Sequence, residues 1–151
     1  MNVTIREAVP QDIPAIADLL ALLMVEHHLT PSSEAKRIHA IEQASDLPKT
    51  WFYVAISNDT VVGALQLNER YSTWTATRYG YIEDFCVATA LRSRGVGARL
   101  LEHVAAIAQG RGWARIDLDV SHSLPDSIRF YERHGYANTG SLLYRVEVIP
   151  A

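Results

Sequence analysis

YGYIEDFCVATALRSRGVGARLLEHVAA, residues 79–106, joins a strand, a loop and a helix in one run. Its first part, Tyr79–Val87, is rich in aromatic and β-branched residues and reads as a strand. From about Gly97, Leu100, Leu101, Val104 and Ala108 fall on one helical face, so that helix packs on a sheet and its start has a fixed position. Backbone N–H groups at a helix start lack internal partners, and the aligned peptide dipoles place roughly half a positive charge there. That end attracts anions. Gly95 and Gly97 let a phosphate approach the backbone without a Cβ in the way, and Arg92 and Arg94 are placed to add charge-assisted hydrogen bonds. The alternative from these residues alone is a glycine-rich turn with solvated arginines.

Outward from this run, Val3–Ala8 reads as a first strand, and Pro10 and Pro14 bracket a helix start. Ile13, Ile16, Leu19, Leu20 and Leu23 then keep helical spacing toward His28, and Ser32-Ser33-Glu34 opens a second helix to about Ala44. WFYVAIS and VVGALQL flank Asn58-Asp59-Thr60 as a hairpin, with a polar, aromatic loop expected over Arg70–Arg78. After the central helix, which Gly110 and Gly112 close, ARIDLDV alternates as a strand with one wet face. Pro125-Asp126-Ser127 starts a short helix ended by Gly135, and SLLYRVEVI reads as a final strand. The order β-α-α-β-β-β-α-β-α-β-β implies an α/β fold: a mixed sheet with helices on both faces.

At 151 residues with 48% hydrophobic composition, the chain fits one domain, 1–151, with one sizeable core. A net charge of −3 gives no basic stripe for nucleic acid. No apolar run approaches the roughly 20 residues that span a bilayer, and the N-terminus has no secretion-signal pattern. A soluble, cytoplasmic protein without nucleic-acid or membrane partners is expected. The one cysteine, Cys86, excludes an internal disulfide. His27 and His28 are adjacent on a helix and point about 100° apart, so no metal is expected.

Two phosphate motifs fail. A dinucleotide fingerprint starting at Gly95-Val96-Gly97 meets Leu100 at its third glycine, and ATALRSR is longer than its tight turn. No G-x-x-x-x-G-K-[ST] run exists. Instead, Arg92-Ser93-Arg94-Gly95-Val96-Gly97 resembles the R/Q-x-x-G-x-G/A signature of the GCN5-related N-acetyltransferases, the GNAT family. The strand IEDFCV before it and Ser127–Tyr136 after it are similar to family patterns in the same order. Leu124 stands where the family commonly has asparagine.

The resemblance implies the GNAT acyl-CoA fold and acetyl-CoA as co-substrate. Backbone contacts to the pantetheine arm would come from Phe85, Cys86 and Val87. Arg92, Ser93, Arg94, Gly95, Val96, Gly97 and Ala98 would cradle the pyrophosphate, with Ser127 and Tyr131 contributing from the later helix. Dimerisation, common in the family, is an expectation on resemblance alone.

Acetyl transfer to an amine needs a proton acceptor, because an alkyl amine of pKa ~10.4 is nucleophilic in only about one molecule in a thousand at neutral pH. Glu83 and Asp84 are the candidates, and the resemblance favours Glu83; either could instead tie down a loop. Tyr131 would protonate the departing thiolate. Full transfer from a phenol near ~10 to a thiol near ~8.5 runs uphill by about 2 kcal/mol, so a hydrogen bond to the thiolate suffices. A backbone N–H near Val87 would polarise the acetyl carbonyl. Cys86 as a covalent nucleophile lacks an adjacent histidine and reads better as a small buried residue.

For the acceptor, Glu26–Arg37 and Arg70–Arg78 mix acids and bases. Tyr71, Trp74 and Tyr79 either line its pocket or cover the sheet. IEDF resembles the strand of diamine and polyamine acetyltransferases, and similar strands occur in glucosamine-phosphate and aminophosphonate enzymes, whose acceptors carry opposite charge. A protein N-terminus or lysine, and a silent acyl-CoA-binding module, stay open.

Overall fold

The computed structural model describes all 151 residues, which form two compact units, Met1–Asp119 and Val120–Ala151. In the first, strands β1 (Thr4–Glu7), β2 (Thr50–Ser57), β3 (Thr60–Ser72), β4 (Thr77–Val87) and β5 (Ile116–Leu118) make one sheet in sequence order. All neighbours are antiparallel except β4 and β5, which run parallel. Helices α1 (Ile13–Glu26), α2 (Glu34–Ser45) and α3 (Val96–Gly110) complete the unit.

Period-2 alternation sorts the sheet into two faces. Phe52, Val54, Ala64 and Cys86 pack with Ile16, Ala17 and Leu19 of α1 and Ile41 of α2. The opposite face receives α3, whose Val96, Leu100, Leu101, Val104 and Ala108 are all buried. Gly63 makes this close approach feasible: a Cβ there would lie 3.2 Å from Leu100 Cδ1 and 3.3 Å from Val96 Cγ1. Leu65, Leu67, Leu100, Val54, Val96 and Val104 are fully enclosed, each worth roughly 1.5–3 kcal/mol over its exposed state. The mixed sheet with helices on both faces is thus present as expected.

The 3-10 turn Pro10–Asp12 leads into α1, held by Asp12, whose carboxylate accepts from Val9 N at 2.8 Å and from the Arg6 guanidinium at 2.6 and 3.0 Å. At the β2–β3 hairpin, Asn58 and Asp59 take φ of 48° and 57°, the paired left-handed turn their side chains tolerate. β3 and β4 are longer than their sequence suggests. They pair out to Ser72 and Thr77, so the loop expected over Arg70–Arg78 shrinks to residues 73–76, because Arg70 and Tyr71 find cross-strand partners in Tyr79 and Arg78.

Conversely, ARIDLDV yields only three strand residues. The second unit, taken by itself, holds one helix, α4 (Pro125–Arg133), and no strand. The two closing strands of the expected order, of which SLLYRVEVI is the one with residues assigned to it, are therefore a correction within that unit. The run Ser141–Ile149 has no second strand there to pair with, and extended backbone becomes a strand only through a ladder.

Candidate active site

β5 accompanies β4 only from Gly80 to Ile82, and the strand runs on past it from Glu83 to Val87. A β-bulge falls in this stretch. Gln66 faces Glu83 and Ala64 faces Cys86, so β4 spends one residue more than β3 over the same span. Asp84 sits at the bulge with φ of 51°, a left-handed conformation that aspartate tolerates better than most residues. The bulge reverses the alternation. Tyr79, Tyr81 and Glu83 share the α1/α2 side of the sheet with Asn68 and Arg70, and Cys86 lies on that side too, although simple counting puts it opposite Glu83.

Glu83 is 43% exposed, and its Oε1 lies 3.7 Å from Arg70 Nη2. Asp84 is open on the surface of the first unit, yet desolvation, seconded by the charge of Glu83, holds its carboxyl above the ordinary carboxylate range. The bulge thus gives the two acids different environments. Cys86 is buried, and burial first, then the charge of Glu26, pushes its thiol up to about 11. A thiolate nucleophile at neutral pH is thereby disfavoured.

Beyond β4, Thr89–Leu91 forms a 3-10 turn, Ser93 takes φ of 59° and Gly95 φ of 83°. Gly95 is the N-cap of α3 and has no side chain to occupy the first N–H groups; its carbonyl accepts from Arg99 N at 3.1 Å. The amides of Val96, Gly97 and Ala98 therefore have no intrahelical acceptor. Left-handed residues in such a loop turn successive N–H groups inward and make an anion-binding concavity. A Cβ on Gly95 would meet nothing within 4 Å, so this approach is open.

The two arginines expected to grip phosphate differ. Arg94 makes no hydrogen bond or ion pair and is exposed. Arg92 is engaged: its Nε donates to Val87 O at 2.9 Å and its guanidinium pairs with Glu26 at the end of α1. Arg92 thus pins the loop to both β4 and α1. The Glu26 carboxylate is committed to that ion pair.

Of the aromatic residues weighed for an acceptor pocket, Tyr71 and Trp74 are 61% and 98% exposed. Tyr79 carries the Arg115 guanidinium 3.9 Å from its ring centroid, and Arg115 also reaches Asp117 at 3.1 Å. Sequence reading missed a second stack of this kind. Arg70 Cζ lies 3.7 Å from the centroid of Tyr81, and the Tyr81 hydroxyl donates to Asp119. The cross-strand neighbours are legible only once the bulged register is known.

In the second unit, Ser127 lies in the first turn of α4, and Tyr131 stands on the same helix with its ring 5.3 Å from Phe130 and 5.8 Å from Tyr136. Two surface recesses, of about 160 Å³ beside Val9, Pro10 and Trp51 and about 460 Å³ beside Ile5, Arg99 and His103, include none of the candidate residues. No group of three histidine, cysteine or acidic side chains converges as a metal site would require.

Residues 13–136 match the profile of the Acetyltransferase (GNAT) family. N-alpha-acetyltransferase 80 of Mus musculus is 31% identical over 133 residues, covering 84% of this chain and 38% of that protein. Aminoalkylphosphonate N-acetyltransferase of Salmonella typhimurium is 28% identical over 89 residues, covering 59% of this chain and 58% of that one. The chain thus spans less than two thirds of either relative. Its fold superposes with a TM-score of 0.87 on a possible acetyltransferase of Clostridium difficile 630, at 20% identity over 99% of this chain and 100% of that chain.

Proposed function

The chain belongs to the GNAT family of acetyltransferases, and from that membership we propose that it transfers the acetyl group of acetyl-CoA to a primary amine of a small molecule. The family match runs through residues of both units, and we read 1–151 as one working domain. The observation that carries the reading is the uncapped start of α3. Three amides with no intrahelical acceptor, a left-handed Gly95 with open space where its Cβ would be, and an unpaired Arg94 suit a diphosphate. Phe85 to Val87, on the stretch of β4 that outruns β5, offer backbone to the pantetheine arm, although the Val87 carbonyl already accepts from Arg92.

Glu83 takes the amine's proton, directly or through water, and Tyr131 supplies a hydrogen bond to the departing thiolate. Ser127 adds to the coenzyme contacts. The local acids suit an incoming ammonium before it is deprotonated.

Thermal-shift measurements with CoA test the coenzyme half. Stabilisation by CoA that largely disappears in Arg94→Glu and Gly97→Asp is expected; stabilisation by NADH or ATP in its place overturns the assignment. For the chemistry, Glu83→Gln should lower kcat/KM most below the acceptor's pKa, where the amine arrives protonated, and an unchanged pH–rate profile removes Glu83 as base. The 31% identity to an N-alpha-acetyltransferase favours a second reading, in which the amine is a protein N-terminus. A panel of peptides and small amines scored for CoA release separates the two.

A further inference from the structure

We infer that Arg70 is a specificity-determining residue and that the acceptor is an amine carrying an oxyanion, such as a phosphate, phosphonate or carboxylate, held by that guanidinium while its amine meets Glu83. The inference rests on the acetyltransferase reading above and narrows its substrate class. Arg70 differs from its neighbours in what it lacks. Arg78 hydrogen-bonds Glu69 at 3.0 Å, Arg115 reaches both oxygens of Asp117 at 3.1 Å, and Arg92 is tied to Val87 and Glu26. Arg70 makes no hydrogen bond at all. The one carboxylate near it, that of Glu83, stands at 3.7 Å, a Coulombic contact beyond hydrogen-bond length.

Its position is nevertheless supported by an aromatic ring. The guanidinium lies 3.7 Å from the ring centroid of Tyr81, and the Tyr81 hydroxyl is anchored on Asp119. A guanidinium stacked on an aromatic face keeps its five N–H donors directed outward around its rim, the arrangement that recognises planar or tetrahedral oxyanions through paired bonds. Directly across the ladder from Tyr81, Asn68 adds a buried Nδ2 that also has no hydrogen-bond partner. A preset cation with its donors still available, immediately beside the carboxylate proposed as base, repels a polyamine and suits a zwitterionic acceptor. Acids meet its ammonium end and Arg70 its anionic end. With Arg70 Nη2 and Glu83 Oε1 3.7 Å apart, an amine and an oxyanion bonded to these two atoms are separated by up to about 9.5 Å, the span of a small metabolite.

The test compares matched acceptors with acetyl-CoA: D-glucosamine 6-phosphate against D-glucosamine, 2-aminoethylphosphonate against 2-aminoethanol, glycine against its amide, and spermidine. The anionic member of at least one pair should exceed its neutral counterpart in kcat/KM by about tenfold or more, mainly through KM, as expected for one charge-assisted pair of hydrogen bonds. Arg70→Met should collapse that ratio about tenfold and Arg70→Lys should restore part of it. A residue acting only on Glu83 would move both members together and leave the ratio intact, which overturns the inference. Preference of the wild-type protein for neutral amines or spermidine overturns it without any variant, and leaves the acetyltransferase reading standing. Absence of transfer to every amine, with no stabilisation by CoA, brings down that reading as well.

Discussion

Gly95→Ala separates the conformational demand at the mouth of α3 from its space. At this residue φ is 83°, and nothing lies within 4 Å of the position a Cβ would take, so an alanine meets no steric obstacle from neighbouring groups. The whole cost is that of holding an L-residue in the left-handed region, about 1–2 kcal/mol. For a chain of this size that lowers Tm by roughly 2–8 °C. Gly110→Ala is the internal control. Gly110 also has nothing within 4 Å, but it closes α3 without a positive φ, so the same methyl should stabilise by about 0.4–1 kcal/mol through the unfolded chain. Differential scanning fluorimetry of both variants, with and without CoA, reads the two effects. If the left-handed turn survives, Gly95→Ala loses stability and keeps most of its CoA-induced shift; if the loop relaxes to avoid strain, that shift shrinks because the inward amides disperse. Equal or higher Tm for Gly95→Ala than for the parent protein would refute the conformational reasoning.

Other expectations address the core and its charges. Glu69→Ala removes the acceptor of the buried Trp113 indole, bonded at 2.8 Å, and should cost about 1–3 kcal/mol in chemical denaturation; Glu69→Gln, which keeps an acceptor, should cost less than half of that. The exposed partners Lys49 and Arg78 add little to either figure. Burial works to raise the Glu69 carboxyl, but the bonds to Trp113 and Lys49 and the charge of Arg78 outweigh it and hold it below its ordinary value. Its stabilisation is therefore complete above the unfolded pKa of about 4.3 and fades as pH falls through the folded value, so Glu69→Gln should flatten the acid limb of the stability profile. Cys86, with its thiol raised to about 11, should react with iodoacetamide at pH 7.5 far more slowly than free cysteine and become labelled only on unfolding; rapid labelling of the native protein contradicts its burial.

Much of the fold was legible because its signals are local. The apolar stripe of α3, the Asn58-Asp59 turn and the Ser33 cap, whose Oγ accepts from Lys36 N at 3.2 Å, each follow from a few neighbouring residues. The loop from Arg92 to Gly97 could be placed at a helix mouth for the same reason. The different duties of Arg92 and Arg94 could not, since Glu26 lies far off in sequence and meets Arg92 only after α1 packs on the sheet. Likewise the extra residue at Asp84 leaves no mark in an alternating run of mixed residues, so the company of Glu83 had to come from the ladder. The pairing of Arg70 with Tyr81 is a long-range product of that register, in a stretch whose composition reads as loop.

The bulge in β4 has a bearing on how such a protein can change over time. Because it resets the odd–even phase of the strand, positions 79, 81 and 83 and positions 86 and 87 behave as two separately phased blocks on one backbone. Substitutions in the first block can redraw the surface near Arg70 while the second keeps its hold on the layer beneath. Deleting one of the two residues between them would remove the bulge and leave Cys86 opposite Ala64 in a regular ladder, whereas inserting or deleting a residue elsewhere in the strand would turn the side chains beyond it over at once.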